Sequence, residues 1–488
     1  MKLTELLRGL TDLMTDPEQI APDVEIGGLQ YDSRRVIPGD LFFAIAGYRT
    51  AGRKYVEDAR RAGAAGVVVQ GNDAVAAPAV VRVTDIRKAM ALFAARFYGN
   101  PSAGMEMIAI TGTAGKTTTS FLARSILDAA GRKTGLLGTI NYWILGEKFP
   151  APNTTPESLD LQCLLARMRD AGVRTVVMEA SSHGIELRRV AGINFQTAAF
   201  TNFSQDHLDF HGSLDDYFRS KLKLFRDLAP SAAAVVNRDD WKYPDMESAT
   251  RAAVIGFGID NAAGVTAAEI TEDLGGSRFT LRIREQQARV ALLMAGRHNI
   301  YNALCAAAIA HTRGIGIDII KQGLEQVTAV PGRFERVTAG QDFTVVVDYA
   351  HTPEELERLL SAVRTLATAR IITVFGCGGD RDRAKRPLMG RAVADGSDVV
   401  IATSDNPRTE RPEAIIADIL PGLRGKPYQM HVDRTEAIRA AIGQAKAGDL
   451  VIIAGKGHED YQIIGSERIH FDDREVALAA LKRRMNAR

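Results

Sequence analysis

Met107-Ile108-Ala109-Ile110-Thr111-Gly112-Thr113-Ala114-Gly115-Lys116-Thr117-Thr118 is the stretch whose reading decides how this chain folds. Met107 to Ile110 is a short apolar strand, and the periodic apolar residues Phe121, Leu122 and Ile126 after the loop predict a helix. Strand, glycine loop and helix in that order form a phosphate cradle. Glycines let backbone amides approach an anion, and the helix N-terminus adds partial positive charge. In that frame Gly112, Thr113, Ala114, Gly115, Lys116, Thr117 and Thr118 bind the phosphates of ATP, with Lys116 reaching the outer oxygens and Thr117 available to Mg²⁺. Ile110 stands where the general pattern has an earlier glycine, which points to a subclass of the loop. A glycine-rich helix start with no phosphate is the alternative, and the Lys-Thr pair in this context argues against it.

Outward from the loop, further strands end at Glu179 and Thr201, separated by helical patterns, which is the rhythm of a parallel sheet. Glu179 ends the apolar run Thr175 to Met178 and so lies on the same sheet edge as the loop, as a candidate magnesium ligand. Ser181-Ser182-His183 follows, offering hydroxyls either to substrate oxygens or to a helix cap. Ser213 can cap a helix on which Lys221 lies one turn beyond Tyr217, among Phe218, Leu224 and Phe225. A lysine on that face either snorkels to the surface or stays buried. Burial would lower its pKa, and the neutral amine could add carbon dioxide to become a magnesium-binding carbamate. The residues alone favour snorkelling. His207 is the natural co-ligand for the second reading and a structural loop histidine for the first.

Beyond the central sheet, Phe279 to Arg284 and Ala288 to Leu293 alternate as an antiparallel hairpin, and a helix is expected from Asn299 to His311. On the N-terminal side, the runs Leu41 to Ala46 and Gly66 to Val69, with a helix over Lys54 to Ala62, indicate a small α/β domain. On the C-terminal side, strands are expected at Thr344 to Val347, Arg370 to Phe375, Asp398 to Ala402 and Asp449 to Ala454. Each is followed by polar residues, at the edge where open α/β sheets form ligand crevices. The expected architecture is α/β in three domains: residues 1–102, 103–331 with the phosphate loop and the added hairpin, and a Rossmann-like 332–488.

Length favours about three domains, with two as the fallback, and composition supports a chain folded throughout and excludes several classes. There are 488 residues, 46% hydrophobic and 25% charged. Lys and Arg (61) nearly balance Asp and Glu (59), so the net charge of +2 gives no footprint for nucleic acid. No apolar run approaches the ~18 residues that span a bilayer, and Met1 to Met14 mixes charges among its leucines, unlike a secretory signal. A cytoplasmic monomer with no membrane contact is expected. Cys163, Cys305 and Cys377 lack metal-ligand spacing and read as free thiols.

With the loop, the stretch Asn202 to His207, Lys221 and Val347-Asp348-Tyr349-Ala350-His351-Thr352-Pro353 assembled, the chain resembles the Mur ligases of peptidoglycan precursor synthesis across all three domains. Supporting runs are Tyr31-Asp32-Ser33-Arg34, Asn153-Thr154-Thr155-Pro156, Gly332-Arg333-Phe334-Glu335, Asp405-Asn406-Pro407-Arg408 and Gly455-Lys456-Gly457-His458-Glu459-Asp460. The resemblance implies that ATP activates a carboxylate of UDP-N-acetylmuramoyl-L-alanyl-D-glutamate as an acyl phosphate, which an amino acid's amine then displaces. It places the UDP end near Ser33 and the loop around Tyr48, and the muramyl peptide near Thr154, Thr155, Ser181 and Arg189. Asn299 matches an adenine contact, and Arg333 an arginine that approaches the nucleotide phosphates. Lys221 matches a lysine that is carbamylated, which reverses the preference for snorkelling. Thr117, Glu179, His207 and carbamylated Lys221 become the Mg²⁺ ligands, and Lys116, Glu179, His207, Lys221 and Arg333 the catalytic set. Leu187 stands where some members have a polar substrate contact. The resemblance further implies a hinge at Pro331-Gly332 that lets the last domain swing.

The family divides mainly between adding meso-diaminopimelate and adding lysine, which differ at the far end of the side chain. Diaminopimelate ends in a carbon bearing ammonium and carboxylate, so its site needs an arginine beside an acceptor. Arg408, Arg381 and Glu459 supply these, with Asp405, Asn406, Pro407 and Gly455 completing the site. The expected reaction is therefore meso-diaminopimelate addition. Its rivals are the lysine-adding branch, a folylpolyglutamate synthase-like enzyme, and a nucleotide-switch ATPase that would leave the C-terminal runs unexplained.

Overall fold

Apolar runs of four or five residues ending in polar loops become parallel strands because both faces of such a sheet are covered and alternation is lost. The computed structural model describes residues 1–15, 23–45, 52–71 and 75–486, so Tyr48 and Ala46 lie outside the described residues. The chain packs as two compact units, Met1–Thr266 with Leu304–Ile320, and Ala267–Ala303 with Lys321–Arg488.

The first unit holds two sheets. In the N-terminal one the strands Gly28–Gln30, Asp40–Phe43, Gly66–Gln70 and Val80–Val83 are parallel and lie in chain order. In the central sheet, Glu106–Thr111 lies between Thr175–Glu179 and Thr197–Phe200, parallel to both. Ala233–Asn237 and Ala253–Gly258 continue it on one side and Thr134–Leu137 on the other. The register pairs Ile110 with Glu179 and Thr111 with Phe200, so the phosphate loop emerges flanked by Glu179 and by Thr201-Asn202. Two antiparallel strands, Asn141–Ile144 and Glu147–Pro150, close the edge; the sequence reading did not anticipate them.

In the second unit, Gly276–Ile283 and Gln286–Leu292 form the expected antiparallel hairpin. The expected helix after it spans Arg297–Thr312. A second sheet runs in the order Glu335–Arg336, Thr344–Asp348, Leu450–Ala454, Ile371–Phe375, Val399–Thr403, Tyr428–His431, parallel except at its first pair. Successive residues of one strand face opposite layers. Val346 packs with Leu356, Leu360 and Met389, while Val345 and Val347 pack with Ile438, Ile442 and Leu481. That is the doubly wound arrangement, and it delivers the loops after Asp348, Phe375, Thr403 and Ala454 to one edge.

All three cysteines are free, with Cys305 and Cys377 buried. No helix among the described residues is long and apolar enough to cross a membrane.

Candidate functional site

Gly112 leaves its strand at φ 144°, and Gly115 caps the helix Lys116–Ala129 from the left-handed region at φ 83°. A side chain at Gly112 would collide with the Thr201 hydroxyl, 1.9 Å from the ideal Cβ position. That crowding comes from a clamp: Thr113 N and Ala114 N donate to Asn202 O and Oδ1 (2.9 and 3.0 Å), and Thr201 Oγ1 donates to Ala114 O at 2.6 Å. Tyr217 OH lies 3.1 Å from Thr113 Oγ1. Lys116 Nζ folds over the loop, donating to the carbonyls of Gly112 and Thr113 at 2.9 Å each.

Glu179 is buried beside the loop. Its Oε2 accepts from Thr117 Oγ1 at 3.0 Å, and Thr139 donates to both carboxylate oxygens at 3.0 Å through its amide and hydroxyl. Thr139 Oγ1 also lies 3.1 Å from Thr154 Oγ1. Thr155 Oγ1 donates to Glu179 O and meets Ser181 Oγ at 3.1 Å. Ser181 caps the helix Ser182–Glu186 through Gly184 N, so the capping alternative is realised in the same residue. Arg189 donates to Thr155 O and pairs with Glu157, which also holds Arg87. Thr154, Thr155, Ser181 and Arg189 therefore form one network around Glu179. Ser33 opens the turn Ser33–Arg35 and is not part of it. Leu187 follows the helix Ser182–Glu186, half-buried.

Lys221 is 1% exposed, which rules out snorkelling. Its Nζ lies 4.3 Å from the Tyr217 ring centre and donates to Gly112 O at 3.0 Å, the carbonyl that Lys116 also uses. Burial first and the Lys116 charge second hold the Lys221 amine well below the ordinary lysine pKa. His207, in the left-handed region at φ 51°, is exposed, 3.5 Å from Asp206 and edge-on to Tyr217 and His183. Thr117 and Glu179 thus touch directly, and Lys221 joins them through the loop.

In the second unit, Arg333 lies over the Tyr349 ring at 4.9 Å, with a buried Nε lacking a hydrogen-bond partner among the described residues. Asp348 accepts from Phe334 N and Ala350 N; burial pushes its carboxyl up against the opposing pull of Arg333. Gly332 takes φ 65°, where a Cβ would meet His458 N at 2.0 Å, so no other residue fits there. Asn299 is buried, donating to Ala295 O and accepting from Asn302.

Arg408, at φ 52°, donates to Gly379 O at 2.8 Å, and a Cβ on Gly378 would lie 3.0 Å from Arg408 Nη1 and 3.6 Å from Arg381 Cγ. The two arginines thus flank one glycine. Asn406 Nδ2 donates to Glu459 Oε2 at 2.9 Å, Asp405 Oδ1 accepts from Asn406 N, and Pro407 O faces Gly379. Gly455, at φ 116°, leaves room for Asp405 Oδ2, 2.9 Å from its ideal Cβ position. Sequence reasoning missed Thr139, the Thr201-Asn202 clamp and Lys456 as parts of these clusters. Thr139 carried a usable signal, since it follows the strand Thr134–Leu137 on the same edge as the loop.

Family models match in three stretches: "Mur ligase family, catalytic domain" at residues 25–98, "Mur ligase middle domain" at 110–310, and "Mur ligase, glutamate ligase domain" at 332–457. The chain is 45% identical to the UDP-N-acetylmuramoyl-L-alanyl-D-glutamate--2,6-diaminopimelate ligase of Syntrophomonas wolfei, covering 99% of both chains. It is also 45% identical to the ligase of that name from Solibacter usitatus, covering 96% of both. A solved structure with the same description superposes with a TM-score of 0.70 at 34% identity, covering 94% of this chain and 95% of the other.

Proposed function

This chain belongs to the Mur ligase family, and from that membership we propose that it joins 2,6-diaminopimelate to UDP-N-acetylmuramoyl-L-alanyl-D-glutamate at the expense of ATP. The observation that carries the activation half is the pair of ammonium groups, Lys116 and Lys221, on the single carbonyl of Gly112. A buried amine facing another cation is disfavoured as a cation. Carbamylation converts that repulsion into an ion pair and supplies an oxygen anion beside the phosphate loop.

The residues fit Mg²⁺ by donor chemistry. Thr117 and Glu179 offer hard oxygens already in contact, and carbamylated Lys221 with His207 would supply a second set. Magnesium bound there would neutralise phosphate charge. Lys116 would hold the outer phosphate of ATP while the D-glutamate carboxylate attacks it and ADP leaves, and Arg333 would counter the charge that develops. Thr154, Thr155, Ser181 and Arg189 would position the peptide, Ser33 the UDP end and Asn299 the adenine. No covalent nucleophile is required of the chain. The amine of diaminopimelate then displaces phosphate from the acyl phosphate. The domains 1–102, 103–331 and 332–488 would divide these tasks as nucleotide-sugar, ATP and amino-acid domains.

For the amino acid, Arg408 and Arg381 around Gly378, with Asn406 linking Arg408 to Glu459, favour a side chain that ends in both carboxylate and ammonium. ATP-dependent phosphate release should require the UDP-muramyl dipeptide and proceed far faster with meso-diaminopimelate than with lysine. Arg408→Ala should raise KM for diaminopimelate about tenfold or more while leaving that for lysine unchanged. Equal effects on both amino acids would remove Arg408 from the specificity account. Phosphate release without the dipeptide would favour a switch ATPase instead.

A further inference from the structure

Lys456 has no assigned task, yet its ammonium is sealed inside the amino-acid cluster at 0% exposure. It donates to Asn406 Oδ1 at 3.2 Å and to Glu459 Oε2 at 3.1 Å. Asn406 Oδ1 also accepts from Ile463 N at 3.0 Å, so that atom is the amide oxygen and Nδ2 is committed to Glu459 Oε2. One carboxylate oxygen is thereby held inward by two donors, and the Glu459 side chain keeps 18% exposure toward solvent.

We propose that Lys456 is a positioning residue for the amino-acid substrate: it holds Glu459 turned so that the carboxylate's open side receives the substrate's side-chain ammonium. The inference rests on the reading of Glu459 as that acceptor. Lys456 itself does not reach the substrate, because nothing of its side chain is exposed. It contacts both members of the Asn406–Glu459 pair at once, and removing it takes away one of the two donors that hold Glu459 Oε2, leaving the carboxylate freer to turn. Tyr349, Tyr461 and Arg434 also feel the Glu459 charge, and of these only Arg434 is a cation; it is itself spent on a buried pair with Asp473.

The test is steady-state phosphate release by the full-length enzyme with UDP-muramyl dipeptide, ATP and meso-diaminopimelate, for Lys456→Met, Lys456→Gln and Glu459→Gln. Lys456→Gln is the gentler change should the methionine variant fail to fold. Both Lys456 variants should raise KM for diaminopimelate about tenfold or more and leave KM for ATP within about twofold. Their kcat at saturating diaminopimelate should stay within about twofold of the wild type, a split between KM and kcat that a merely structural lysine would not give. If Glu459→Gln raises KM for diaminopimelate and neither Lys456 variant does, the role of Lys456 is overturned and that of Glu459 stands. Rises in all substrate KM values together would also overturn it. If Glu459→Gln leaves KM for diaminopimelate unchanged, the acceptor reading falls and the inference with it.

Discussion

Lys221 shows how much one side chain's surroundings decide. On a helix surface it would be a solvated cation, but here the Tyr217 ring, the Gly112 carbonyl and Lys116 enclose it, and its pKa falls. Lys221→Ala should abolish ligase activity, with partial rescue by a short carboxylic acid that restores an oxygen anion. Magnetic resonance of the wild type with isotope-labelled bicarbonate should show a carbamate carbon that the alanine variant lacks; an active, unrescued variant would remove the carbamate. Glu410 illustrates the opposite direction, drawn down to about 2 mainly by the hydrogen bonds from Arg386. A depressed carboxylate stabilises the fold above its unfolded pKa of about 4.3 and loses that contribution as pH falls toward 2. Wild type should therefore be more stable than Glu410→Gln at neutral pH, with the gap in denaturant midpoint closing between about pH 4 and pH 2.

At the scale of elements, strand order does what spacing along the chain cannot. Glu179 is distant in sequence from the loop but one strand away in the sheet, and Thr201-Asn202 clamps the loop from the other side. Gly112→Ala should leave the sheet folded but misplace this clamp, costing about 1–3 kcal/mol of stability and most of the affinity for a non-hydrolysable ATP analogue by calorimetry. In the second unit, Arg434 and Asp473 form a fully buried pair, and Arg434 also donates to the carbonyls of Ser404 and Ala454 at two strand ends. Asp473→Ala leaves that guanidinium uncompensated and should cost about 3–5 kcal/mol in chemical denaturation. A loss below about 1 kcal/mol would mean that water or another group replaces the carboxylate.

At the scale of the molecule, the proposed activating and amine-binding groups occupy different stretches of chain, so their functions should separate experimentally. Arg408→Ala should keep the rise in melting temperature that an ATP analogue gives the wild type, while its KM for diaminopimelate rises. Lys116→Met should lose that rise and still fold. At about a hundredfold excess over Kd the wild-type stabilisation amounts to about 2.7 kcal/mol. Loss of the nucleotide shift in both variants would show that the two functions do not separate.

The strand-loop-helix at Met107 to Thr118, the hairpin around Phe279 to Leu292 and four of the six strands of the second unit's parallel sheet were legible in the sequence, because apolar periodicity and glycine chemistry are local properties. So was the chemical character of Arg408 and Glu459, since a carboxylate-bearing substrate calls for a guanidinium. The strands Asn141–Ile144, Glu147–Pro150 and Tyr428–His431 were not legible, being only four residues each and partly exposed. Nor were the partners of Glu179 in Thr139, or of Glu459 in Lys456. The sequence alone determined which groups are proposed to meet phosphate and amino acid. Only the tertiary structure decided their charge and aim, because burial and pairing depend on neighbours that the sheet order, not the chain order, supplies.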